Sequence, residues 1–363
     1  MEPLKREKLV YLVGTVALLS SILMATTVAV NGEEFKPFPA FFIFGDSLVD
    51  VGNNNFIVTL AKANSLPFGI DFPDGPTGRF TNGKTVTDFL CDILSLPFPP
   101  PYLAPTTRGE AILQGVNYAS AAAGILRSTG YNFIGRVDFA TQITWFANTI
   151  QELKEQLGES GAQDLIKRSL FSVTLGANDY VNNYLLKGSP ASYEYTIPQF
   201  QHLLLTTFSK QLTQIYNMGA RNVSVSSIGP IGCIPSQLAR RSVKGECSHY
   251  VNNLALEFNA DLKSLIATLN SELPGSNFVY AESFDPVFAY RSNPQQYGFK
   301  FGDKACCGGG RFNGIVLCLP IVTPCSDRAD YVFWDAFHPS ESANKLLGQF
   351  SFDNLRSSFL NGG

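Results

Sequence analysis

The sequence predicts one α/β/α domain built on a parallel sheet, and two observations support that prediction. Short apolar segments alternate with longer segments in which apolar residues recur every three or four positions. Strands separated by helices form βαβ units, which give a parallel sheet covered by helices on both faces. The strand candidates are compact and apolar, as such burial requires. They are residues 40–44, 116–119, 170–175, 223–227 and 278–281.

The helical periodicity fills the gaps between these strands. Its clearest segments are residues 142–157, 198–218, 250–269 and 341–350. A shorter helix at residues 87–94 would bury Cys91 as a small apolar residue. Because no repeat or linker interrupts the alternation, we expect one domain from residue 33 to residue 363.

The composition is that of a globular protein. The chain has 363 residues, of which 45% are hydrophobic and 16% charged, so a sizeable core can form without a structural metal. The formal net charge of -3 gives no electrostatic reason to expect a nucleic acid as a partner.

The N-terminus predicts a secretory signal peptide over residues 1–32. Three basic residues, Lys5, Arg6 and Lys8, precede an almost uncharged apolar stretch at residues 9–30. Small residues at 27–29, or alternatively Val30-Asn31-Gly32, offer cleavage points after about residues 29–32. The alternative is an uncleaved signal anchor, because the stretch is long enough to span a bilayer. No later segment has that length and hydropathy, so the mature protein is expected to be extracellular and without a membrane segment.

The cysteines fit an oxidising compartment. Six of the seven are candidates for three disulfides, with the pairing open: Cys233, Cys247, Cys306, Cys307, Cys318 and Cys325. Asn222-Val223-Ser224 is a glycosylation sequon, which predicts a glycan on Asn222. The alternative is that Asn222 only begins a strand.

Candidate reactive residues follow the predicted strands, at the sheet edge where active sites of this architecture form. Ser47 follows the first strand, Gly124 the second and Asn178 the third. Ser47 is a candidate nucleophile, although a serine there also serves as a helix cap. Its surroundings do not match the Gly-x-Ser-x-Gly nucleophile elbow, which disfavours the α/β-hydrolase fold.

His338 is the candidate general base among three histidines. His202 lies in an apolar helical segment and is expected to pack there, and His249 is expected in a loop. Asp335 stands three residues before His338 and can orient its ring within one turn. Serine, histidine and aspartate together convert a hydroxyl into a nucleophile at neutral pH.

Two further features predict an oxyanion hole. The Asn178 side-chain amide can donate to a developing oxyanion, although asparagine is also a common turn residue. The small residues at 117–124 let backbone N–H groups such as that of Gly124 approach a substrate, although they also fit a tight helix start.

The segment from Gly45-Asp46-Ser47-Leu48 to Asn55 resembles the opening block of the plant GDSL esterase/lipases, a branch of the SGNH hydrolases. Further blocks of that family recur in order at residues 117–124, 176–179, 229–235, 306–308 and 335–340. The resemblance implies a flavodoxin-like domain, an extracellular (cell wall or apoplast) location, and ester hydrolysis without metal or cofactor. It implies Ser47 as nucleophile, His338 as base and Asp335 as its partner. The oxyanion hole would comprise the Ser47 and Gly124 N–H groups and the Asn178 side chain.

The chain departs from the family at Ala121 and Ala122, where relatives often have glycine, so we expect a narrower or stiffer acyl pocket. Ser340 stands where many relatives have threonine, without expected consequence. The implied substrate is an ester of a lipid, a cutin-like polyester, an acylated carbohydrate or a metabolite. The same residues would serve a transacylase, and a non-catalytic extracellular binding protein on this fold is a further alternative. The oligomeric state is left open.

Overall fold

A computed structural model describes residues 38–360 of the chain. The predicted signal peptide lies outside these residues. The strands are β1 (Phe41–Gly45), β2 (Leu170–Thr174), β3 (Asn222–Ser226), β4 (Asn277–Ala281), β5 (Phe301–Ala305) and β6 (Tyr331–Phe333). The α-helices are α1 (Val86–Leu94), α2 (Phe139–Arg168), α3 (Ala177–Asp179), α4 (Pro190–Glu194), α5 (Ile197–Asn217), α6 (Pro235–Arg241), α7 (His249–Glu272), α8 (Phe284–Ser292) and α9 (Glu341–Leu355).

The central sheet is parallel, in the order β1-β2-β3-β4. Backbone hydrogen bonds from Ile43 N to Val116 O (3.0 Å) and from Tyr118 N to Ile43 O (2.7 Å) add the extended segment around Asn117 on the free side of β1. Counted as the second strand of the chain, this segment gives the order 2-1-3-4-5, which is that of flavodoxin-like folds. The predicted fold class is confirmed.

A second, two-stranded parallel sheet pairs β5 with β6. The sequence did not predict it, because β5 reads Phe-Gly-Asp-Lys-Ala and lacks an apolar run. This small sheet leads directly into residues 334–340 and positions them.

The two faces of the central sheet differ. One face carries Phe42, Phe44, Phe171 and Val173, which pack in the main core with α2, α5 and α7. On the other face β2 and β3 present hydroxyl side chains: Ser172, Thr174, Ser224 and Ser226. The prediction of uniformly apolar strands is therefore wrong for β2 and β3, which alternate apolar and polar residues. Smaller apolar clusters lie on this second face beside α1 and α9.

The structure settles the disulfide pairing that the sequence left open. Cys233 bonds Cys247, Cys306 bonds Cys325, and Cys307 bonds Cys318. Cys91 is buried and unpaired within residues 38–360, as predicted, and burial raises the pKa of its thiol. Among the helices of this described part of the chain, none has the length and hydropathy to cross a membrane.

Candidate active site

Ser47, His338 and Asp335 meet at the carboxyl edge of the sheet. Ser47 Oγ lies 2.8 Å from His338 Nε2. His338 Nδ1 lies 2.8 and 2.9 Å from the two carboxylate oxygens of Asp335. An ionised carboxylate only accepts hydrogen bonds, so Nδ1 carries the proton and Nε2 is left to accept from the Ser47 hydroxyl.

A compact turn after β6 fixes the Asp335–His338 pair. Asp335 Oδ1 accepts hydrogen bonds from the backbone N–H groups of Phe337 (2.9 Å) and His338 (2.8 Å). Trp334 N donates to His338 O across the turn at 2.8 Å. The Phe80 ring lies 5.3 Å from the imidazole, centroid to centroid. With Asp335 5% and His338 8% exposed, the pair is held in a largely dry environment.

Ser47 stands two residues beyond the end of β1, where the backbone is clamped. Gln142 accepts from Gly45 N at 3.0 Å and donates to Gly45 O at 2.8 Å. A Cβ on Gly45 would lie 2.4 Å from Val49 and 2.9 Å from Thr174 O, so only glycine fits at this strand end. The chain can therefore turn sharply and leave Ser47 at the sheet edge.

The predicted oxyanion donors are grouped beside Ser47. Asn178 Nδ2 donates to Ala123 O at 2.9 Å and lies 3.3 Å from Asp46 Oδ2, so it adjoins both the Ser47 loop and the Gly124 loop. Within residues 38–360, the backbone N–H groups of Ser47 and Gly124 make no hydrogen bond. Free N–H groups beside a side-chain amide are the donor set that stabilises a tetrahedral oxyanion.

Three buried aspartates hold the loops of this donor set, and sequence reasoning assigned them no role. Burial raises the pKa of Asp46 to about 7 and those of Asp50 and Asp179 to about 6. Each lies within four residues of a predicted site residue, which is the one signal that the sequence offered.

Asp179 and Asp50 bind the segment that contains Gly124 from both ends. Asp179 accepts from Ile125 N (2.8 Å) and Leu126 N (3.0 Å), and Thr129 Oγ1 donates to it at 2.6 Å. A Cβ on Gly124 would lie 2.6 Å from this carboxylate, so the segment closes only around a glycine. Asp50 accepts from Ala121 N at 3.0 Å.

Asn53 and Asn54, from the opening block, complete this framework. Asn53 Nδ2 donates to the carbonyls of Asn117 and Ala119 at 2.9 and 2.8 Å. Asn54 Oδ1 accepts from Ser120 Oγ at 2.6 Å. The segment from Gly45 to Asn55 therefore also fixes the loop at residues 117–124.

Ala121 and Ala122 pack in a cluster with Trp334 and the disulfide-bonded Cys306 and Cys307. Ala122 has φ 68°, the left-handed region that favours glycine. The alanine at position 122 thus occupies a strained backbone position. Neither Ala121 nor Ala122 lines the cavity that opens at Ser47.

Other predicted positions lie away from the triad. His202 is exposed on α5, so the expectation that it packs in the core is wrong. His249 is the first residue of α7, so the expected loop is also wrong. Asn222 begins β3, and its amide lies 3.4 Å from the carbonyls of Lys167 and Ser169. Its glycosylation stays a prediction.

A cavity of about 150 Å³ begins beside Ser47 and His338 and extends beneath the sheet. Leu90 of α1 and Leu347 of α9 form part of its apolar wall. A nucleophile with a base, an oxyanion donor set and an adjoining apolar cavity are what acyl transfer from an ester requires. Fold and site together define a carboxylic-ester hydrolase.

Comparison with known proteins agrees with this class. The profile of the GDSL-like lipase/acylhydrolase family matches residues 41–350. The Arabidopsis thaliana GDSL esterase/lipase At1g71250 is 44% identical over 338 residues, covering 93% of this chain and 90% of that protein. GDSL esterase/lipase 7 of the same plant is 48% identical over 321 residues, covering 86% and 87%. The chain belongs to the GDSL-like lipase/acylhydrolase family.

Proposed function

We propose that this ester hydrolase is secreted and works through an acyl-enzyme formed on Ser47. The observation that carries the proposal is the series of contacts from Ser47 Oγ through the His338 ring to Asp335. Ser47 Oγ lies 2.8 Å from His338 Nε2. That spacing is within the reach that a general base needs to remove the serine proton.

In the first step the Ser47 oxygen attacks the ester carbonyl carbon while His338 Nε2 takes the hydroxyl proton. The carbonyl π electrons move to oxygen, and the resulting oxyanion accepts hydrogen bonds from Ser47 N, Gly124 N and Asn178 Nδ2. The Asn178 proton for this bond is the one that points at Asp46 Oδ2 over 3.3 Å in the free enzyme, while the other stays hydrogen-bonded to Ala123 O. Asp335 stabilises the imidazolium through Nδ1. The carbon–oxygen bond to the alcohol then breaks, and His338 returns the proton to the leaving alkoxide.

In the second step a water molecule takes the place of the alcohol. His338 removes one of its protons, the hydroxide oxygen attacks the acyl carbon, and the bond to Ser47 breaks. The proton returns to Ser47 Oγ, so the carboxylic acid leaves and the enzyme is regenerated.

Secretion is supported by the basic and apolar residues of the N-terminus and by the three disulfides. Such bonds form and persist mainly in oxidising compartments. We expect the mature chain in the extracellular medium of plant or insect cells to begin between residues 30 and 33. Intact protein held in the cell membrane would identify a signal anchor instead.

The mechanism is tested with an organophosphonate and a chromogenic ester. Secreted wild type should hydrolyse p-nitrophenyl acetate and gain one phosphonyl group on the peptide that contains Ser47, as measured by mass spectrometry. Ser47→Ala, with unchanged circular dichroism, should do neither. A folded Ser47→Ala protein that retains turnover, or an adduct on another residue, would refute the proposal.

A further inference from the structure

The cavity beneath the sheet contains two hydroxyl groups that the catalytic machinery does not use. Ser172 and Ser224 both line it, and each is only 6% exposed. Among the described residues neither side chain makes a hydrogen bond, whereas Thr174 and Ser226, one step nearer the sheet edge, bond each other at 3.1 Å. Both hydroxyl groups therefore face the cavity without a protein partner in residues 38–360, and each can donate to or accept from a polar atom of a bound molecule.

The strand register places the two hydroxyl groups side by side. Ser172 pairs with Ser224 in the parallel ladder of β2 and β3. Their neighbours in the same row are Ile43 of β1 and Val279 of β4. The row is therefore a pair of hydroxyl groups flanked by apolar side chains, roughly two residues, or about 6.6 Å, below the Thr174–Ser226 row.

The opposite wall of the cavity is mainly apolar. It includes Val86 and Leu90 of α1, Val287 of α8 and Leu347 of α9. A cavity of about 150 Å³ holds a molecule of about six carbon atoms, such as benzene. Since the cavity begins at the nucleophile, an acyl chain esterified to Ser47 has direct access to it.

We propose that this cavity is the acyl-binding site and that Ser172 and Ser224 together bind an oxygen atom on the acyl chain. The preferred substrate class is then an ester whose acyl group, of about six carbons, carries a hydroxyl several bonds from the carbonyl. This inference rests on the acyl-enzyme function proposed above. A paired hydroxyl site rejects a chain that lacks the oxygen, because its own polar groups are then left unpaired.

The test compares p-nitrophenyl hexanoate with p-nitrophenyl ω-hydroxyhexanoate, using p-nitrophenyl acetate as the substrate too short to reach the pair. Wild type should show a kcat/KM about 3- to 10-fold higher for the hydroxylated ester, the range of one net hydrogen bond. The double variant Ser172→Ala/Ser224→Ala should lose this preference and hydrolyse acetate as wild type does. Because Ser224→Ala also removes the glycosylation sequon, Asn222→Gln is the control and should keep the preference.

A cavity-filling variant gives a second measurement. Ser224→Leu should lower kcat/KM for both six-carbon esters by more than about tenfold, the scale of one lost or clashing side-chain contact, and leave acetate turnover within about twofold. Acetate turnover also reports folding, and the double alanine variant decides the question if the leucine protein does not fold. Equal rates for the two hexanoates, unaffected by the double variant, would overturn this proposal alone. Absence of Ser47-dependent acetate hydrolysis would overturn the proposed function instead.

Discussion

The two sides of the site are held by different kinds of interaction. The base side comprises residues 331–340. There Asp335 binds His338 and the backbone of its own turn, and Trp334 packs against two disulfides. On the nucleophile side, residues 45–55, 117–130 and 176–183, contacts join segments that are far apart in the sequence. Ala121 N to Asp50, for example, spans 71 positions. The base side is thus a local turn that is hydrogen-bonded to disulfide-linked residues, whereas the nucleophile side depends on buried carboxylates.

Removing the proposed nucleophile or the proposed base should have the largest effect on activity. Ser47→Ala and His338→Ala should each lower kcat by on the order of 10⁶-fold, because nucleophile and base act as a unit. His202→Ala and His249→Ala are matched controls on exposed histidines and should leave kcat unchanged. An active His338→Ala protein, or an inactive control, would show that the base lies elsewhere.

Asp335→Asn weakens the base side without deleting it. We expect kcat to drop by about 10⁴-fold, because the imidazole remains but its tautomer and orientation are no longer held by a carboxylate. Steady-state kinetics beside His338→Ala would measure the difference. A loss equal to that of His338→Ala would mean that Asp335 does more than orient the ring.

Asn178→Ala tests the nucleophile side. If its amide donates to the oxyanion, kcat should fall by ~10²–10³-fold with little change in KM, because the bond matters most in the transition state. Asn178→Asp should be at least as damaging, since a carboxylate would face the developing charge. A variant that keeps its kcat and loses only thermal stability would assign Asn178 to the turn alone.

The nucleophile side should also make the protein sensitive to pH. The pKa of Asp46 is about 7 in the folded protein against an ordinary 3.8, because the carboxyl is buried. Between these values the folded state binds more protons than the unfolded state, so the free energy of unfolding falls as pH rises. We expect a decrease on the order of a few kcal/mol from pH 4 to pH 8, measured by denaturant titration. Asp46→Asn should reduce this dependence, leaving the part that Asp50 and Asp179 contribute through their own raised pKa values, and an unchanged slope would refute the assignment.

The smallest expected effect concerns the backbone between the two sides. Ala122→Gly should change the free energy of unfolding by less than about 1 kcal/mol, because relief of the left-handed strain offsets the loss of a buried methyl group. Ala123→Gly is the matched control, since Ala123 is buried without a positive φ. It should cost about 1 kcal/mol or more. Equal losses in the two variants would show that Ala122 carries no strain.

The sequence predicted the base side more fully than the nucleophile side. Asp335 and His338 are three residues apart, so one turn brings them together whatever the rest of the chain does. The positions of Ser47 and Asn178 followed from strand ends, which apolar periodicity reveals. The roles of Asp46, Asp50 and Asp179 were missed, because an aspartate beside a strand end is as typical of an exposed turn as of a buried anchor.

The order of the central strands and their main helices, the sheet edge that carries the candidate site and the nearness of Asp335 to His338 were predicted from local pattern. Each depends on periodicity or on neighbours within a few positions. The disulfide pairing, the hydroxyl face of β2 and β3 and the carboxylate framework were decided only by the tertiary structure. Each depends on which distant segments become neighbours, and a buried polar group is tolerated only where those neighbours supply its hydrogen bonds. Which groups donate or accept those hydrogen bonds depends on the folded chain as a whole and cannot be read from any single segment of the sequence.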